Sequence, residues 1–174
     1  DRCILLSQGQ LLMDGEPTVV MDYYNALIAE KDQSIESEKS ISQETTSHGV
    51  VTRSGTGEVH LDEIELLVNN QPAEIVHVGQ AATLRVRATC VRAVKQLVFG
   101  YMIKDRLGQP VFGTNTYYLK QIQKNVKAGE TPLFEFDFPI HFGENNYSVT
   151  TSFSSAQDHL SDNYEWRDRA LVFQ

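Results

Sequence analysis

A chain of 174 residues with 41% hydrophobic content can build one ordinary domain plus a short extra piece. Its formal charge of −8 argues against a nucleic-acid or anionic-membrane partner, whose footprint is a basic patch, and no apolar run approaches the ~20 residues that span a bilayer. The two cysteines, Cys3 and Cys90, stand far apart and outside any CxxC, which favours free thiols in a reducing compartment over a disulfide or metal site.

The chain opens on DRCILL, with neither a secretory signal nor an initiating Met, as expected of a segment from a longer protein. Residues 4–15, ILLSQGQLLMDG, predict a tight hairpin turning at Gln8 and Gly9. A helix follows from Pro17, a good first helical residue. Val20, Tyr23, Tyr24, Leu27 and Ile28 recur at helical spacing until the pattern fades at 29–31. This unit is too small to bury its apolar face and needs a docking surface that the chain lacks. From Asp32 to about His48 the only large apolar residues are Ile35 and Ile41. Residues 32–50 are therefore expected to form a flexible linker, ahead of a second domain over 51–174.

Short alternating runs then return. Residues 59–68 predict a strand ending in the turn Asn69, Asn70, Gln71, Pro72; residues 75–78 predict a short strand before Gly79. Residues 82–91 set Leu84, Val86, Ala88 and Cys90 on one face, which makes Cys90 a buried small hydrophobe. Residues 97–104 and 111–119 predict a central hairpin punctuated by Asp105, Gly108 and Pro110, with Phe99, Tyr101 and Ile103 on one face. Gln121 to Gly129 is polar and ends at a turn glycine. Residues 131–140 align Phe134, Phe136 and Phe138. Residues 147–153 alternate Tyr147, Val149, Thr151 and Phe153 with Ser148, Thr150 and Ser152, and residues 169–173 close the chain as a short strand. Seven or eight such strands without an intervening helix predict an all-β antiparallel sandwich.

No catalytic motif is present: there is no GxSxG, HExxH, Walker A loop or zinc-type Cys/His cluster. Gly55, Thr56 and Gly57 open a strand, not a helix, and so cannot cradle a phosphate. The five histidines stand singly, so no metal is expected. Glu63 and Glu65 fall on a solvated strand face. What a sandwich does not need is the polar and aromatic material at Thr114–Asn115–Thr116–Tyr117–Tyr118 and around Trp166, the only tryptophan, with its neighbours Tyr164, Arg167 and Asp168. Aromatic faces stack on sugar C–H surfaces while amides, hydroxyls and cations hold hydroxyls, so a sheet face carrying such groups makes a ligand groove. The plainer reading has Trp166 plugging the core and Tyr117 as an ordinary strand aromatic.

The opening segment, with Asp1, Arg2, Gly9, Gly15, Pro17, Val20 and Tyr24, resembles the end of the nucleotide-binding domain of ABC-transporter ATPases. Gly55, Thr56 and Gly57, the hairpin over 100–116 and the closing residues 166–173 resemble the C-terminal extension of the Wzt-type ATPase subunits that export O-antigen polysaccharide. The resemblance implies an immunoglobulin-like sandwich over 51–174 that binds lipid-linked O-polysaccharide, with its non-reducing end as the recognised part. It further implies a homodimer exchanging the terminal strand (residues 169–174), a membrane subunit reached through the parent protein, and a place at the cytoplasmic face of the bacterial inner membrane. Residues 1–31 would be the end of the ATPase domain, whose catalytic motifs lie upstream. The segment itself would be no enzyme and would need no cofactor.

The face argument assigns stacking to Tyr117 and Trp166, hydroxyl recognition to Asn115 and Thr150, and contact with an anionic cap to Lys104 or Arg167. Two alternatives stand beside it. One is a structural dimerisation or docking domain without glycan affinity. The other is a sugar-processing enzyme using Asp137, Asp158 or Asp162, none of which has a carboxylate partner at informative spacing.

Overall fold

The computed structural model describes residues 1–31, 41–46, 49–155 and 163–174. Its elements are β1 (Cys3–Ser7), β2 (Gln10–Gly15), α1 (Pro17–Lys31), β3 (Ser42–Thr46), β4 (Gly49–Ser54), β5 (Val59–Val68), β6 (Gln71–Pro72), β7 (Ala81–Cys90), β8 (Val94–Lys104), β9 (Pro110–Asn115), β10 (Gln123–Val126), β11 (Leu133–Pro139), β12 (Tyr147–Ser154) and β13 (Asn163–Phe173). Strands β1 and β2 form the predicted hairpin. The other strands form two antiparallel sheets. The smaller runs β11-β7-β5-β6. The larger runs β3-β4-β13-β12-β8, with β9 and β10 sharing the far edge of β8. Pairing β11-β7-β5 against β8-β12-β13 is the A-B-E and C-F-G arrangement of an immunoglobulin-like sandwich, the topology that the family resemblance implied.

Period-two alternation places the core. Leu84, Val86 and Ala88 of β7, Phe134, Phe136 and Phe138 of β11, and Phe99, Tyr101 and Ile103 of β8 all point between the sheets. Phe99 is wholly buried; its ring lies 5.1 Å from Phe134, 5.6 Å from Phe136 and 5.1 Å from Phe153, tying both sheets together. Each such buried ring contributes roughly 1.5–3 kcal/mol of burial. Burial also lifts the Tyr101 phenol to about 12. The smaller sheet's outer face is solvated and cross-linked by charge: Arg85 meets Glu135 at 2.8 Å and Arg87 meets Glu63 at 3.6 Å.

Turn chemistry fixes the registers. Asn69 and Asn70 take φ of 52° and 60°, the mirror-type geometry that matches hairpin twist. At the β8–β9 turn Asp105 Oδ1 accepts the N–H groups of Leu107 and Gln109, both at 2.9 Å, and Gly108 takes φ 79°. Cys90 is buried and Cys3 half-buried, both as free thiols.

Five expectations are corrected. Residues 42–46, assigned to the linker, are an edge strand against β4, where Gln43 Nε2 donates to Thr52 Oγ1 at 3.1 Å; residues 32–40 lie outside the described residues. Residues 75–78 are not a strand: Ile75 and Val78 are two-thirds exposed, and the Val76 N–H donates to the Gln174 carbonyl at 2.7 Å. The last strand begins at Asn163, not 169, because its polar residues find buried partners across the sheet. Strand β9 stops at Asn115, and residues 116–120 form a turn in which Thr116 Oγ1 accepts the Phe99 N–H. Finally, α1 does find a surface. It packs on the β1–β2 hairpin and on β4, burying Val19, Val20, Asp22 and Ala26 while Tyr24 and Ile28 face outward. A helix with two neighbours has two buried sides, which rotates the single stripe read from its periodicity.

Candidate functional site

Four of the six candidate residues, Lys104, Asn115, Thr150 and Trp166, gather on the outer face of the larger sheet. Along β8 the core claims Phe99, Tyr101 and Ile103, so Gly100, Met102 and Lys104 point away from it. Antiparallel register then lines up Asn115, Gly100, Ser152, Trp166 and Ser54 in one row across β9, β8, β12, β13 and β4. Met102 and Thr150 sit opposite each other in the next row. Gly100 leaves the floor of the first row bare: a Cβ there would stand 2.9 Å from Ser152 Oγ and 3.2 Å from Asn115 Cβ. At Gly113 a Cβ would meet the Tyr101 carbonyl oxygen at 2.7 Å, so the close approach of β9 to β8 requires glycine. The result is a groove of about 450 Å³ lined by Gly100, Met102, Asn115, Tyr118, Ser152 and Trp166 among others.

Asp168 organises one wall. It is 2% exposed, and Lys104 Nζ and Thr150 Oγ1 each donate to its Oδ1 at 2.9 Å, while Trp166 Nε1 donates to Oδ2 at 2.8 Å. The indole is thus held by its N–H while part of its surface stays open to the groove. Asn115 Oδ1 accepts the Tyr118 N–H at 2.9 Å, fixing the turn that carries Tyr118 over the opposite side.

Of the six residues predicted, Asn115, Thr150 and Trp166 meet in this groove, and Lys104 borders it through Asp168. Tyr117 does not line it. The turn at 116–120 swings Tyr117 away and presents its neighbour Tyr118, their rings 6.1 Å apart at 89°. Arg167 faces the other way, toward the smaller sheet: its Nη2 lies 3.1 Å from Glu165 Oε1 and 3.2 Å from the Leu61 carbonyl. Glu165, 1% exposed, also binds Arg53 Nε at 2.7 Å and the Leu61 N–H at 3.1 Å, with His60 Nδ1 at 3.1 Å. That cluster clamps β13 and β4 to β5. Both cations expected to meet an anionic cap are therefore engaged by carboxylates. Sequence reading missed Asp168, Tyr118, Gly100 and Gly113 as parts of the site. The one available signal was the i, i+2 spacing of Trp166 and Asp168, which puts both side chains on one face once the strand reaches back to Asn163.

Among the described residues no group of three or more His, Cys, Asp or Glu is arranged to hold a metal, and no helix is long and apolar enough to cross a membrane. Asp158 and Asp162 lie outside the described residues; Asp137 accepts from Thr83 Oγ1 at 2.6 Å on the outer face of the smaller sheet, away from the groove.

Comparison with known proteins agrees with this architecture. The family model of the Wzt C-terminal domain matches residues 50–174. The chain belongs to the Wzt C-terminal domain family. Membership sets it in the context of O-antigen ABC transporters, as a non-catalytic domain of the ATP-binding subunit. A crystal structure of the C-terminal domain of Wzt has 17% identity and a TM-score of 0.60, covering 70% of this chain and 75% of that one, which speaks for a shared fold. A glycoside hydrolase family 2 β-glucuronidase (15% identity, TM-score 0.43, 68% of this chain and 13% of that) matches too weakly to carry an argument. So does the alkylpurine DNA glycosylase AlkC of Pseudomonas fluorescens (13% identity, TM-score 0.41, 67% and 30%). No curated protein matches.

Proposed function

We propose that this Wzt-type domain binds O-polysaccharide, without chemical turnover, in the groove between Trp166 and Tyr118. The observation that carries the reading is the fixed indole of Trp166 beside the bare floor at Gly100. A pyranose ring is a flat apolar slab rimmed with hydroxyls. The indole offers a stacking face, while Asn115 and Ser152 supply amide and hydroxyl partners at the edge, the mix that orients a ligand in a mostly preformed site. With Lys104 neutralised by Asp168, the groove favours an uncharged sugar over an anionic cap.

The setting of this reading is export. The ligand would be lipid-linked O-polysaccharide, read at its non-reducing end at the cytoplasmic face of the bacterial inner membrane. Residues 1–31 would be the end of the ATPase domain, and the parent protein would deliver the bound glycan to its membrane subunit. The parent would act as a dimer with exchange of residues 169–174. In the single chain these residues pair with β12 (Val149 with Leu171, Tyr147 with Phe173), just beyond the positive-φ bulge at Arg169 (φ 52°). That bulge is where an exchanged strand would swing out.

Retention of the source cell's O-polysaccharide by Trp166→Ala tests the assignment. Loss of a stacking aromatic that behaves as a binding hot spot costs about 1–3 kcal/mol. Equal retention by variant and parent protein would remove Trp166 from the site. The docking-domain reading draws on the exposed Val111, Phe112 and Leu119 near the groove rim. A stable dimer with no glycan affinity would favour it.

A further inference from the structure

A second, larger cavity adjoins the groove. It is a cleft of about 770 Å³ between α1 and the outer face of the larger sheet, with Thr18, Asp22 and Asn25 on the helix side and Lys104, Ser148 and Asp168 on the sheet side. Thr150 lines both cavities, and the Lys104–Asp168 pair stands at their shared wall. Within the cleft Asp22 is 8% exposed yet makes no hydrogen bond to any described residue. The Asp22 carboxyl opens onto the cleft, with Lys104 and Arg169 as the nearby positive charges, and is placed to meet a ligand there.

We infer that this cleft is a second sugar subsite, continuous with the groove, in which Asp22 recognises ring hydroxyls of a neutral glycan unit next to the one held by Trp166. The inference rests on the proposed function. The charges argue for an uncharged polyol. Asp22, Asp168 and Glu16 disfavour an anion, while Lys104 and Arg169 offset the field that a metal cation would need. Burial and the neighbouring Asp168 carboxylate raise the Asp22 pKa to about 7, so near neutrality its carboxyl can donate as well as accept, as a hydroxyl partner should.

The test compares binding of a single repeating unit with binding of size-fractionated longer fragments, both prepared from the source cell's O-polysaccharide, to the full chain. Longer fragments should bind more tightly. Asp22→Leu should lower their affinity roughly tenfold, toward that of the single unit, and leave the single unit unaffected. Asn25→Trp, which fills the cleft from the exposed side of α1, should do the same without touching a buried group. Unchanged length dependence in both variants would overturn the second subsite while leaving the groove intact. Absence of binding by any fragment to the parent chain would overturn both.

Discussion

Asp168 takes three donors on one buried carboxylate: Lys104, Thr150 and Trp166. Charge-assisted bonds of this kind are about twice as strong as neutral ones, and here they set a rotamer as well as a charge. Asp168→Asn keeps the shape but leaves Lys104, only 17% exposed, without its counter-charge. Breaking a largely buried pair from one side costs about 3 kcal/mol, so the variant should show a correspondingly lower denaturation midpoint together with weaker glycan binding. Sequence alone offered Trp166, Asn115 and Thr150, because unusual polar and aromatic residues in strands are visible without coordinates. It could not separate Tyr117 from Tyr118, since that choice depends on where β9 ends. It could not pair Lys104 with Asp168 either: 64 residues divide them, and only the β8-β12-β13 order brings them together.

Elements decide what those residues can reach. Gly113 lets β9 lie close on β8. Gly113→Ala would force a methyl group against the Tyr101 carbonyl, and overpacking of this kind costs about 1–3 kcal/mol, readable as a lower midpoint in chemical denaturation. Helix α1 brings a titratable group of its own. The Asp22 pKa rises from 3.8 to about 7, with burial as the largest cause and the Asp168 carboxylate next. Because the folded chain holds this proton more tightly than the unfolded chain, the stability linked to Asp22 is complete below about pH 4. It declines as pH rises through about 7. Unfolding free energies of wild type and Asp22→Asn, measured across this window, should differ in slope, with the variant losing less stability on the alkaline side. Parallel curves would mean that Asp22 is not buried against the sheet. The hairpins and most strands of the sandwich were legible from alternation and turn residues. The docking of α1 and the edge strand β3 were not, because a polar strand such as Ser42–Thr46 gains its place from pairing with β4 and not from its own apolar content.

At the scale of the whole molecule the two sheets divide the work. Phe99 joins rings from both sheets, so Phe99→Ala should cost about 3–5 kcal/mol, whereas Tyr118→Ala, at a 63% exposed position, should leave stability within about 0.5 kcal/mol and act only on binding. The core is thus separable by mutation from the outer face that carries the groove. A single tryptophan makes that face directly observable, because all indole emission comes from Trp166. The most direct measurement is therefore a fluorescence titration with the source cell's O-polysaccharide, set against one from an unrelated serotype. Binding in the groove predicts a saturable change in Trp166 emission with the first polysaccharide and none with the second. Retention of the polysaccharide with unchanged emission would place the glycan elsewhere on the domain and contradict the account.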